Sequence, residues 1–138
     1  MSTVTVGSDN GSLVEPAISI KTARTGFTGS QRVHHFAEGL GLEVVMGNQV
    51  DGQLGTACAI TFGAAYQLTS RHAGELSNFL DMSDDLLAEP LRIENGELRV
   101  PRGPGLGIQV DEDKLAHYRT DSRARHLTVF GSGKEDAS

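Results

Sequence analysis

Apolar and polar positions alternate most regularly in Ala17 to Thr22, a short β-branched run with Pro16 in front and Arg24 to Gly26 behind. That pattern predicts a strand with Lys21 at its C-terminal end. The period then changes. Val33, Phe36, Ala37 and Leu40 fall at helical spacing, with Thr28 or Ser30 available as N-cap and Gly41 as a stop, so an amphipathic helix follows. Glu43 to Met46 reads as a second strand, and Gly47 to Gly52 as a loop of small and polar residues. From about Leu54 to Thr69, Leu54, Cys58, Phe62 and Ala65 share one stripe and Ala57, Ile60 and Ala64 extend it. A helix apolar on most sides is expected to be buried.

Strand, helix, strand, helix within about fifty residues is the order of a parallel βα fold, in which right-handed crossovers connect the strands. Beyond Arg71 the period fades. Glu75 to Ala88 mixes acids with leucines and is expected to be a loop with one helical turn. Leu91 to Ile93 and Glu97 to Val100 flank Asn95-Gly96, a strong hairpin signal because both residues tolerate positive φ. Pro101 to Gly107 reads as a stiff link and Asp111 to Tyr118 as a short helix with acids in its first turn. Before the first strand, residues 1–16 read as an irregular lead-in, with only Val4 and Val6 hinting at a frayed strand. Residues 120–138 read as a disordered tail, leaving 17–119 as the one folded domain.

Composition narrows the class of function. The chain has 138 residues, 18 acidic and 12 basic side chains and a net charge of −6. That balance argues against nucleic acid or an anionic membrane as partner. One cysteine excludes an internal disulfide, and no apolar run approaches a membrane span. Neither a basic start nor an apolar stretch opens the chain, so a cytoplasmic location is expected. Seventeen glycines predict frequent turns and close backbone approaches.

Three segments carry a resemblance. Ser19-Ile-Lys-Thr-Ala-Arg-Thr-Gly26, the loop Gly47-Asn-Gln-Val-Asp-Gly-Gln-Leu-Gly-Thr56, and Val100-Pro-Arg-Gly-Pro-Gly-Leu-Gly107 with Asp111-Glu-Asp-Lys-Leu115 resemble the C-terminal part of muconate cycloisomerases. These belong to the mandelate racemase and muconate lactonizing branch of the enolase superfamily. The resemblance implies an α/β fold that is the C-terminal part of a modified TIM barrel, incomplete because a closed barrel needs about 250 residues, with a C-terminal hairpin and short helix. In the complete enzymes it implies conversion of cis,cis-muconate to muconolactone in aromatic catabolism, through an enolate stabilised by a divalent metal, Mn or Mg. The three metal carboxylates and the first lysine pair of such enzymes have no counterpart in the matched segment.

Residue by residue, Lys21 matches the lysine at the end of the sixth barrel strand, an acid/base or an electrostatic partner of the enolate. Asp51 matches an acid on the loop after the last strand, where muconate enzymes usually show Glu. Asn48 and Gln49 lie on that substrate-side loop. Taken alone, Lys21 reads as a surface lysine and Asp51 as a turn acid. Adjacent His34 and His35 point about 100° apart on a helix and cannot chelate as an i, i+4 pair does. Cys58 reads as packing, the acids Asp81, Asp84, Asp85 and Glu89 as a solvated face, and Gly131 to Lys134 as a superficial match to a phosphate loop.

The expected function is therefore a C-terminal muconate cycloisomerase-like piece, inactive alone, acting on a small carboxylate substrate when completed. The alternatives are a non-catalytic truncated product or a half-barrel subunit that needs a partner, either a second copy or a missing N-terminal half. A piece of an o-succinylbenzoate synthase, an N-acylamino acid racemase or a dipeptide epimerase also fits the resemblance.

Overall fold

The structure is a computed structural model, and it describes residues 2–6, 17–68 and 71–119. The central unit is a parallel strand pair with its two helices. Strand β2 (Ala17–Ile20) pairs in parallel with β3 (Glu43–Met46), in the register Ala17↔Glu43 to Ile20↔Met46. Between them runs α1 (Thr22–Gly39), and α2 (Gln53–Ala65) follows β3. Ile20, Met46, Ala59, Ile60, Phe62 and Leu76 form the buried centre between strands and helices. Each large aliphatic side chain buried there contributes about 1.5–3 kcal/mol.

Helix α1 begins earlier than its apolar period suggests. Lys21 is its N-cap residue, and the first turn is broken at Gly26, where φ is +64°. The periodic part, Val33 to Leu40, starts only after that kink, so periodicity alone finds the second segment and misses the first turn. Both helices end in the same way. At the end of α1, Gly41 (φ +68°) donates to Glu38 O at 3.0 Å and Leu42 N–H to Ala37 O at 2.9 Å. At the end of α2, Gln67 (φ +52°) donates to Ala64 O at 3.4 Å and Leu68 N–H to Gly63 O at 3.0 Å. These are Schellman ends, which satisfy the last carbonyls and turn the chain back. Helix α2 therefore stops at Ala65, short of Thr69. Of the expected apolar positions Ala57, Ile60 and Phe62 are buried, together with Gln53, Thr56, Ala59 and Gly63, whereas Leu54 and Ala65 are exposed.

The region after Arg71 holds a further parallel pairing that its sequence does not advertise. Gly47 bridges Glu75 in parallel, with Glu75 N–H donating to Met46 O (3.0 Å) and Asn48 N–H to Glu75 O (2.8 Å). A 3-10 turn follows at Asn78–Asp81. The expected hairpin forms as β4 (Ile93–Glu94) and β5 (Glu97–Arg99) around Asn95-Gly96, both at positive φ. The stretch read as an irregular lead-in contains a strand, β1 (Thr3–Thr5), antiparallel to β5; Val4 is fully buried against the core. Two alternating valines in an otherwise polar stretch give too weak a pattern for that assignment from sequence. Helix α3 (Glu112–Tyr118) is capped by Asp111, whose carboxylate accepts from the N–H groups of Asp113 and Lys114 at 3.0 Å. The expected tail 120–138, with Gly131 to Lys134, lies outside the described residues.

Candidate functional site

In a βα barrel the chemistry sits at the C-terminal ends of the parallel strands. The register places Lys21 one residue beyond the Ile20↔Met46 pair, level with Gly47, and Gly47 pairs with Glu75. Lys21, Gly47 and Glu75 thus form one row across three successive strands. Gly47 is the low point of that row. A Cβ built there would lie 2.8 Å from Ser19 Oγ, 3.0 Å from Lys21 Nζ and 3.8 Å from Glu75 Oε2. The absent side chain is therefore what lets an ammonium, a hydroxyl and a carboxylate share the space above the strand ends.

The ammonium is fixed. Lys21 Nζ donates to the main-chain carbonyl of Asn48 at 2.5 Å. Asn48 is buried, and its Nδ2 donates to Thr56 Oγ1 at 2.7 Å, while the Thr56 hydroxyl donates to Gly52 O at 3.0 Å. The loop 47–52 is thereby tied to the first turn of α2. Asn48 Oδ1 is buried without a hydrogen-bond partner among the described residues, an acceptor whose desolvation costs about 1–3 kcal/mol unless something donates to it.

Loop residues Gln49 and Val50 are exposed. Asp51 is half-buried and its Oδ2 accepts from Gln49 N–H at 3.3 Å. Its carboxylate also lies beside α2, where it pushes the Cys58 thiol up, second to the burial of that thiol. Asp51 and Lys21 form no ion pair. Of the four residues singled out from the sequence, Lys21 and Asn48 come into contact, while Gln49 and Asp51 stay on the outer part of the loop.

Glu75 escaped the sequence reading, which placed it in a loop. The usable signal was order: after a βαβα run another strand is due, and Glu75 is followed by the fully buried Leu76. Two of the acids read as a solvated face have structural tasks. Asp85 Oδ2 accepts from Gln53 N–H at 2.7 Å at the start of α2, a favourable place for a negative charge. Asp84 binds Lys114 Nζ at 2.6 Å and the Tyr118 hydroxyl at 3.0 Å. Lys114 above all holds the Asp84 carboxyl down, at about 2. His34 and His35 stand with ring centroids 5.6 Å apart, both against Tyr66, in aromatic contacts.

A cavity of about 400 Å³ lined by His34, Glu38, Glu43, Tyr66 and Arg71 lies elsewhere. Its lining includes Glu43, at the N-terminal end of β3, the end opposite the row that holds Lys21 and Gly47. The recess along Ser19, Ile20, Lys21, Arg24, Thr25 and Val33, about 220 Å³, adjoins the row. Among the described residues no three His, Cys, Asp or Glu side chains converge to hold a metal ion. The residues present therefore do not make the divalent-metal site that the resemblance implies. No helix among them is long and apolar enough to cross a membrane.

Lys21 and Glu75 thus stand on either side of Gly47 at the C-terminal ends of parallel strands in part of a βα barrel. Residues 16–114 match the Enolase C-terminal domain-like family model, and the chain belongs to that family. It is 36% identical to muconate cycloisomerase 1-2 of Acinetobacter lwoffii over 76% of this chain and 27% of the relative. Against the chloromuconate cycloisomerase of Pseudomonas putida it is 34% identical over 74% of this chain and 28% of that protein. Among solved structures, the muconate lactonizing enzyme from Mucobacterium Smegmatis superposes with a TM-score of 0.73 at 75% identity. That match covers 76% of this chain and 30% of the other; the same enzyme has also been solved complexed with muconolactone. The chain thus spans between a quarter and a third of the length of these relatives, and its fold is an incomplete barrel from the C-terminal portion of such a protein.

Proposed function

We propose that this chain is the C-terminal, lysine-bearing side of a muconate cycloisomerase-like enzyme, one that closes cis,cis-muconate to muconolactone, and that it is inactive by itself. The row Lys21, Gly47, Glu75 carries this reading, together with the 75% identity to a muconate lactonizing enzyme that binds muconolactone. Ring closure forms a C–O bond from one carboxylate, moves the π pair onto the carbon next to the other carboxylate, and needs a proton delivered there. Lys21 offers a charge to hold the dianionic substrate and a proton at Nζ. Its bond to the Asn48 carbonyl uses one N–H and orients the other two, so the proton transferred is one of those, and positioning is worth more than charge alone.

Asp51 and Asn48 then shape the loop against the substrate, with the orphaned Asn48 Oδ1 as an acceptor for a polar group arriving in the site. The rest of the barrel must come from a longer chain, a second copy or a separate N-terminal half, and a divalent metal would be held by residues beyond those described.

Two assays test the reading. Purified chain with manganese or magnesium should show no lactonisation, and a measurable rate would overturn its inactivity. Grafting residues 17–119 in place of the matched segment of the Mucobacterium Smegmatis enzyme should give a chimera that turns over cis,cis-muconate. Lys21→Ala in that chimera should lower kcat by about 10²-fold or more. A folded chimera without turnover would sink the assignment.

A further inference from the structure

In a closed barrel the last strand pairs in parallel with the first. Here the segment at Gly74–Glu75 pairs with β3 through Glu75, and its other side is occupied. Gly74 N–H donates to Thr5 O at 2.9 Å, and Val6 bridges Gly74 in parallel. The occupant comes from residues 3–6, which lie outside the matched segment 16–114.

The far side of that strand is taken as well. Val6 N–H donates to Gly96 O at 2.7 Å and Val100 N–H to Ser2 O at 3.1 Å, so β1 is held by the hairpin along its whole length. Even-numbered residues bond the hairpin and Thr5 bonds Gly74, so one short strand covers two edges. Val4 and Leu98, both fully buried, anchor it to the core.

We infer that Thr3–Val6 is a built-in edge cap: it fills the place of a first barrel strand beside Gly74–Glu75 and must leave before any other strand can pair there. Natural proteins cover exposed strand edges because an open edge recruits other chains. The described strands then run β4, β5, β1, Gly74–Glu75, β3, β2, closed at one end by a hairpin. A separate N-terminal half bringing its own first strand would compete with residues 3–6, whereas a strand pairing on the edge of β2 that faces away from β3 would not. The inference rests on the strand pairings and stands whether or not the completed protein acts on muconate.

Backbone amide exchange followed by NMR tests it, on the intact chain and on a chain lacking residues 2–6. Deletion should speed exchange of the Gly74 amide about tenfold or more, while the Gly47 amide, bonded to Ile20, stays protected. Light scattering should show the shortened chain associating at concentrations where the intact chain does not. Unchanged Gly74 exchange on deletion overturns the inference. If the shortened chain does not fold, the intact chain decides: a cross-strand contact between Thr5 and Gly74 in its NOE spectrum supports the cap, and its absence overturns it.

Discussion

Lys21 Nζ and the main-chain carbonyl of Asn48, 27 residues apart in sequence, are joined by a 2.5 Å hydrogen bond that links the C-terminal ends of two adjacent parallel strands. The same bond aims the ammonium and holds down the loop that starts at Gly47. A lysine serving only as a surface charge would make no such contact. Replacing it removes a charge-assisted bond, and those contribute about 1.5–3 kcal/mol. Because the lysine is only partly buried, Lys21→Ala should cost the isolated chain about 1–2 kcal/mol in urea denaturation. An unchanged midpoint would mean that the bond does not hold the loop.

Gly47→Ala tests the row from its centre. The new methyl would meet the ends of two side chains, Ser19 Oγ at 2.8 Å and Lys21 Nζ at 3.0 Å, and no backbone atom stands that close. Flexible ends can move aside, so the fold should survive with a loss of about 1 kcal/mol. The expected signature is displacement of the Lys21 ammonium, seen as a changed NMR shift of its ε-methylene and as faster reductive methylation. In the grafted enzyme described above, Gly47→Ala should lower kcat more than it raises KM, because the substrate still enters a site whose proton is misplaced. A variant indistinguishable from the parent would show that the glycine serves only the turn.

The attachment of α3 should depend on acid. Asp84 bonds Lys114 and Tyr118, and its carboxyl is held at about 2, first by the hydrogen bond from Lys114. The carboxyl titrates lower in the folded chain than in the unfolded one. Its contribution is therefore complete above the ordinary carboxyl value and is lost as pH falls from about 4 to 2. Lys114 and Tyr118 are both pushed up, chiefly by their hydrogen bonds to Asp84. Their contributions persist below their ordinary values and fade as pH rises through the raised ones. The protection of α3 amides, taken relative to the exchange of an unstructured peptide at the same pH, should fall between pH 4 and 2 in the parent chain, and in Asp84→Asn that step should vanish. An identical acid profile in the two would show that another carboxylate controls the helix.

The sequence announces the parallel unit because each of its elements repeats one period long enough to read: Ala17–Ile20, Val33 to Leu40, Glu43–Met46 and the α2 region. It conceals what depends on partners distant in the chain. Thr3–Thr5 is a strand only because β5 and Gly74 supply bonds on its two sides. Glu75 joins the strand row through two main-chain bonds to β3, which no side-chain pattern encodes. Of the candidate site, Lys21 and Asn48 were legible as strand-end and loop residues. The row that unites Lys21 with Glu75 across Gly47 follows from register, and register becomes visible only when the strands are paired.

Glycines of the Gly103 to Gly107 link separate two costs that sequence cannot tell apart. Gly105 and Gly107 have nearly equal φ, +63° and +66°. Either substitution by alanine therefore carries the strain of a left-handed residue, about 1 kcal/mol. Their surroundings differ. Nothing lies within 4 Å of a Cβ on Gly105, whereas one on Gly107 would stand 2.7 Å from Arg102 C and 2.8 Å from Arg102 N and Pro101 C. Backbone cannot step aside as a lysine tip can, so the turn closed by Gly107 N–H on Pro104 O at 3.1 Å would have to open. Gly107→Ala should cost about 3 kcal/mol or more in thermal or urea unfolding, and Gly105→Ala about 1. Equal losses would mean that left-handed strain alone, and not the close approach of the Pro101–Arg102 backbone, demands glycine at position 107.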